Sequence, residues 1–179
     1  PLLLLPSHTT GCTEKELSFT NSNNELLYGI YTDTGSKDVV ILCHGYMANN
    51  SMCQFPLLAA TLASAGISSF RFDHPMAYRS KSRRKGPFLM GNHESEVADY
   101  VSAVDFITNQ SHGSNDEKKN VTCLLGHSKG GINVILYAAK YYGSSSSSTL
   151  PRRLVSLSGR FRVKDGILQR FGSNIMDTL

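Results

Sequence analysis

The spacing of apolar and polar residues changes several times along the chain, and each change marks an element. Glu16–Thr20 and Leu26–Thr32 are short β-prone runs joined by Asn21-Ser22-Asn23-Asn24, a composition that predicts a hairpin. Asp38–Cys43 is an unbroken apolar run, the pattern of a strand buried on both faces. Phe55–Ala65 has Leu58, Leu62 and Ala65 at helical spacing and stops at Gly66. Ile67–Phe72 reads as the next strand, and His93–Thr108 puts Val97, Val101, Val104 and Ile107 on one helical face. Val121–Leu125 reads as another buried strand, Lys129–Tyr142 as a helix and Leu154–Leu157 as a final strand.

Strands alternating with helices of this length predict an α/β fold, a mostly parallel sheet with helices on both faces. The early hairpin predicts an antiparallel edge on that sheet. Ser111–Asn120 is polar and charged and reads as a surface excursion; Gly143–Thr149, with five consecutive serines, reads as a flexible linker.

Composition narrows the class without naming a chemistry. A chain of 179 residues with 40% hydrophobic and 18% charged residues has the material for one globular domain. A net charge of +4 does not by itself argue for nucleic acid or a membrane surface. The apolar start Pro1–Pro6 is too short to span a bilayer and lacks the flanks of a signal peptide, so residues 1–15 read as a disordered or clipped N-terminus. The cysteines Cys12, Cys43, Cys53 and Cys123 form no Cys-x-x-Cys pair, which points to a reducing, cytoplasmic setting without a disulfide framework. No His-x-x-x-His spacing occurs either, so no metal site is expected. The triplets at Asn49, Asn109 and Asn120 are read as chance glycosylation matches.

Candidate chemistry centres on Gly126-His127-Ser128-Lys129-Gly130-Gly131, set between a strand and a helix. Gly-x-Ser-x-Gly in that context is a nucleophile elbow, a turn so tight that the flanking positions must be glycine. Ser128 is therefore the candidate nucleophile, with Gly126 and Gly130 as the elbow glycines. The second signal is His44-Gly45-Tyr46, directly after the strand Asp38–Cys43. Acyl transfer passes through an oxyanion that needs backbone N–H donors. The amides of Lys129 and Tyr46 are the candidate donors, with His44 and Gly45 shaping the loop.

Together with Phe70-Arg71-Phe72-Asp73 and Leu157-Ser158-Gly159-Arg160-Phe161, these motifs resemble the α/β-hydrolase superfamily from about Glu16 to the C-terminus. The chain is most similar to its lidless or small-lid serine esterases, relatives of monoacylglycerol lipases and of serine aminopeptidase-like hydrolases. The resemblance implies hydrolysis of an ester, thioester or amide through an acyl-serine, carboxylic esters foremost, on a small-molecule acyl substrate and without a cofactor.

Two departures stand out. After Asp73, where relatives usually turn on a glycine, the chain reads His74-Pro75-Met76-Ala77-Tyr78-Arg79-Ser80 and meets no glycine until Gly86. Asp73 is thus read as a turn-forming residue. The second departure concerns the base. The fold orders its triad as nucleophile, acid, histidine, yet none of His8, His44, His74, His93, His112 and His127 follows Ser128. Asp165 and Asp177 follow it, but Asp165 comes too soon after the last strand for the acid loop. Residues 16–179 accordingly read as the N-terminal two-thirds of a hydrolase domain, the acid and histidine lying beyond Leu179. His127 adjoins Ser128, but neighbours on such a turn point apart.

Arg79–Lys85 holds five basic residues in seven and reads as a solvated loop, since no aromatic residue interleaves it for stacking on bases. The rival reading is a non-catalytic receptor or interaction module on the same scaffold, for which the missing histidine speaks. A nucleotide-binding reading fails: no Gly-x-Gly and no Gly-Lys-Ser/Thr is present.

Overall fold

A computed structural model describes residues 12–52, 54–75, 77, 80–82, 92–109, 118–142 and 150–159. Six strands and three helices run in the order β1 (Thr13–Thr20), β2 (Leu26–Asp33), β3 (Asp38–Cys43), α1 (Phe55–Ser64), β4 (Ser68–Phe72), α2 (His93–Asn109), β5 (Asn120–His127), α3 (Lys129–Tyr141) and β6 (Arg153–Leu157). The strands form one sheet in the order β1-β2-β4-β3-β5-β6. β1 and β2 pair antiparallel, as do β2 and β4, while β4, β3, β5 and β6 are mutually parallel. This is a mixed sheet, mostly parallel, with the antiparallel edge where the early hairpin predicts it.

The hairpin is closed by Asn21, whose side-chain oxygen accepts from the amides of Asn23 and Glu25. Asn24 takes a positive φ of 59°, a region that asparagine enters at low cost. At the sheet's centre β3 alternates between two cores. Val39, Ile41 and Cys43 pack with Tyr100, Val104, Ile107, Val134 and Tyr137 of α2 and α3, whereas Val40 and Leu42 pack with Phe55 and Ala59 of α1. That two-sided burial is why the segment carries no polar alternation. In β5 the alternation slips, because Val39 pairs with Val121 but Val40 pairs with Cys123. Thr122 is the extra residue of a β-bulge, and it lets Val121 and Leu124 both face the α2 and α3 side.

One sequence expectation is corrected. The buried stripe of α1 is Phe55, Ala59 and Ala63, not Leu58, Leu62 and Ala65. Leu58 and Leu62 are partly buried at its border, and Ala65 is an exposed cap. Two alanines let the helix axis approach the sheet closely, and the bulkier leucines fill the flanks.

The thiols of Cys43 and Cys123 are buried and free. Ile135 and Leu136 on α3 and Val155 on the outer strand β6 are exposed. Among the described residues no helix is long and apolar enough to cross a membrane, and no group of three or more His, Cys, Asp or Glu could hold a metal ion. Cys53, Asp165, Asp177, the linker Gly143–Thr149 and most of Ser111–Asn120 lie outside the described residues.

Candidate active site

Ser128 is the single residue between the end of β5 at His127 and the start of α3 at Lys129. Its backbone sits at φ 56° and ψ −117°, a region that costs a non-glycine residue about 1–3 kcal/mol and persists only where the surroundings enforce it. The surroundings here are specific. The Ser128 amide donates to the Leu157 carbonyl of β6 at 2.9 Å, which spends that N–H on the scaffold. The first N–H groups of α3 have no intrahelical acceptors, and their aligned dipoles favour negative charge beside Ser128.

The loop after β3 closes over this turn. A Cβ added at Gly45 would lie 2.9 Å from the His127 carbonyl oxygen, 3.0 Å from Ser128 Cβ and 3.4 Å from Lys129 N. The backbone that leads into Tyr46 therefore touches the elbow itself. Met47 next to it holds φ 53°, so both loops at the site carry a strained non-glycine residue. Tyr46 and Met47, in the same loop, are exposed, at 41% and 61%.

His44 is a structural residue of this loop. Its Nε2 accepts from the His74 amide at 3.2 Å, which leaves the proton on Nδ1 to be donated to the Gly45 carbonyl at 2.9 Å. Burial, helped by the nearby His74, lowers its pKa from 6.5 to about 4. With both ring nitrogens engaged and the imidazole neutral, His44 has no free nitrogen to take a proton from Ser128.

A stability prediction follows from that shift. Above pH 6.5 the imidazole is neutral in folded and unfolded chains alike, and its contribution is fully present. As pH falls, the unfolded chain binds the proton first, so stability is lost between about pH 6.5 and pH 4, by about 2 kcal/mol at pH 4.5. Urea midpoints at pH 7 and pH 4.5 should draw together in His44→Gln by about that amount. An unchanged acid slope would show that His44 does not carry it.

The other described histidines make contacts away from Ser128. His74 Nδ1 meets Asp99 Oδ2 at 2.9 Å in a fully buried pair, and Asn21 donates to the other Asp99 oxygen at 2.7 Å. His93 Nδ1 meets Asn133 Oδ1 at 2.6 Å. The His127 ring packs edge-on to Phe55 of α1, with centroids 6.5 Å apart. None of these histidines is hydrogen-bonded to the Ser128 hydroxyl; His8 and His112 lie outside the described residues.

Asp73 ties the loops together, accepting from the Asn50 amide at 2.6 Å while its own amide donates to the Tyr28 carbonyl. Burial pushes its pKa up, against the opposing pull of Ser80, Asn50 and His74. Of the basic run Arg79–Lys85, Lys81 is described and bridges to Glu16 on the surface at 2.7 Å; Arg79, Arg83, Arg84 and Lys85 lie outside the described residues.

Residues 34–174 match the family model described as Serine aminopeptidase, S33. The chain belongs to this family. It is 30% identical over 140 residues to a monoacylglycerol lipase of Mycolicibacterium smegmatis, covering 77% of this chain and 46% of that protein. An esterase of Pyrococcus furiosus superposes with a TM-score of 0.60 at 23% identity, over 72% of this chain and 48% of its own. The ferulic-acid-bound Est1E of Butyrivibrio proteoclasticus gives 0.54 at 20% identity, over 84% and 50%. The chain thus spans about half the length of the relatives it matches. Within the family match lie both the elbow and the His44-Gly45-Tyr46 loop.

Proposed function

We propose that the protein is a serine hydrolase of carboxylic esters and that this chain carries its nucleophile and oxyanion hole. The observation that carries the reading is Ser128 at φ 56° on a one-residue turn between β5 and the N-terminus of α3, with Gly45 packed against it. Ser128 Oγ attacks the ester carbonyl carbon as a general base accepts its proton. The carbonyl oxygen becomes an oxyanion held by the amides of Lys129 and Tyr46. Collapse expels the alcohol, which takes the proton back from the base. Water then repeats the sequence on the acyl-serine and releases the acid.

The base and its orienting carboxylate come from outside the described residues, because none of His44, His74, His93 and His127 is hydrogen-bonded to the Ser128 hydroxyl. The exposed side chains of Tyr46 and Met47 suit an apolar acyl or alkyl group. Similarity to a monoacylglycerol lipase supports esters of fatty acyl groups as the substrate class. Buried free thiols at Cys43 and Cys123 support a reducing compartment.

A fluorophosphonate tests the reading. Attack by Ser128 Oγ forms an O–P bond and expels fluoride, while the base takes the proton. The natural full-length protein should be labelled once, on the peptide containing Ser128, as read by mass spectrometry. Labelling on another residue, or none, would remove the nucleophile assignment.

A further inference from the structure

The residue after the nucleophile is gripped from a different helix. Lys129 Nζ donates to Glu96 Oε1 of α2 at 2.7 Å, and Asn133 Nδ2 donates to Glu96 Oε2 at 2.6 Å. Lys129 and Asn133 are one turn apart on α3, so a single carboxylate spans its first turn with both oxygens. The grip continues along α2. His93 holds the other end of the Asn133 amide at 2.6 Å, and the Tyr100 hydroxyl donates to the Gly130 carbonyl at 3.4 Å. His93, Glu96 and Tyr100 lie three and four residues apart, on one face of α2.

The grip is charged and largely dry. The side chains of Lys129 and Glu96 are 10% and 13% exposed, and Asn133 is fully buried. Burial alone would raise the Glu96 pKa; His74, Lys129 and Asn133 together outweigh it and hold the carboxyl below its usual range. A surface ion pair contributes little, but a buried pair joined to a second hydrogen bond fixes geometry.

A helix N-terminus does not need this arrangement to stay helical. What the arrangement fixes is the rotation and height of the first turn of α3, hence the direction of the Lys129 N–H. That amide lies one bond from a strained residue, on a turn whose conformation is imposed from outside. The geometry points to Glu96 as a positioning residue: it aims the Lys129 amide at the oxyanion through the Lys129 and Asn133 side chains, without touching substrate. The inference rests on the serine hydrolase reading proposed above.

The test uses the natural full-length protein and a short-chain nitrophenyl ester, with active sites titrated so that kcat refers to competent enzyme. Removing an oxyanion donor costs about a hundredfold to a thousandfold in kcat, so misaiming one should cost Glu96→Ala about tenfold, with KM within about twofold of wild type. Glu96→Gln keeps an oxygen for Lys129, and an amide flip of Asn133 accommodates the other end, so it should recover most of that loss. Lys129→Met should lower kcat similarly and add little to Glu96→Ala, because both cut one linkage. A Glu96→Ala enzyme with fewer titratable sites or a lower Tm but unchanged kcat per site would make Glu96 a merely structural residue and overturn the inference. So would a raised KM at unchanged kcat. Ser128→Ala, run alongside, separates the two failures: if it retains turnover the hydrolase reading falls, and if it is dead while Glu96→Ala keeps its kcat, only the positioning role falls.

Discussion

Ser128→Ala should abolish ester hydrolysis by the natural full-length protein, lowering kcat by about four to six orders of magnitude. The proposed oxyanion donors are backbone groups and survive the change, so the residual rate should stay above that in water. Stability should hardly move, because alanine inherits the same backbone strain and Ser128 Oγ makes no hydrogen bond among the described residues. Ser128→Gly should be equally inactive yet more stable by about 1 kcal/mol, since glycine occupies φ 56° without the Cβ penalty. Urea midpoints and nitrophenyl ester turnover of the two variants separate chemistry from strain. The 179-residue chain should turn the ester over poorly, because none of the described histidines is hydrogen-bonded to the Ser128 hydroxyl. Robust Ser128-dependent turnover by that chain would mean that a base is supplied from its own undescribed segments. Retention of activity in Ser128→Ala would falsify the nucleophile assignment outright.

What the sequence made legible here, and what it hid, divides along the range of the forces involved. β3 was readable because burial on both faces leaves an unbroken apolar run, and its observed span, Asp38–Cys43, matches that run. The elbow was readable because its steric demand falls at a fixed spacing, two residues on either side of the serine. Helix faces made of small residues are harder: α1 packs on Ala59 and Ala63, which carry little hydrophobic signal, while the larger Leu58 and Leu62 sit at the border. The bulge at Thr122 was invisible because it depends on the register with β3. The network beneath the site was also invisible. Glu96 meets Lys129 across 33 positions and His74 meets Asp99 across 25, pairings that only tertiary packing creates. In sequence Glu96 is one more acidic residue in the first turn of a helix, where the macrodipole alone would account for it.

His44 lies in the loop that packs against the elbow through Gly45, so its ring is near enough to be weighed as a base. The structure gives its ring two backbone partners, one in its own loop and one after β4. The imidazole thus fastens the loop after β3 to the loop that begins with Asp73 and His74. Asp73 makes the reciprocal tie through the Asn50 amide. These contacts tie the start of the loop after β3 to the start of the loop after β4.

The elbow glycines should be intolerant of a single methyl group. A Cβ on Gly130 would lie 2.4 Å from the Cys43 carbonyl oxygen and 2.6 Å from that of His44. On Gly126 it would lie 2.2 Å from the Gly130 carbonyl oxygen and 2.7 Å from Gly131 N. Every atom met is backbone, belonging to the end of β3 or the first turn of α3, so no side chain can swing aside. Relief requires α3 to shift off the sheet by about an ångström, a displacement that costs about a hundredfold in rate when it falls on catalytic geometry. It would also pull Lys129 and Asn133 from Glu96. Gly126→Ala and Gly130→Ala should therefore each lose about 3 kcal/mol or more of stability, or fail to fold, with the titratable active sites reduced further than the folded fraction. Gly35→Ala and Gly66→Ala are the controls. Their added Cβ atoms meet nothing within 4 Å, but φ of +78° and +73° makes each strained for alanine. They should cost about 1 kcal/mol and leave activity per folded molecule unchanged. Thermal melts and active-site titration of the four variants give the comparison. If Gly130→Ala melts no lower than Gly66→Ala, the tight approach of α3 to the end of β3 is not what holds Ser128 in place.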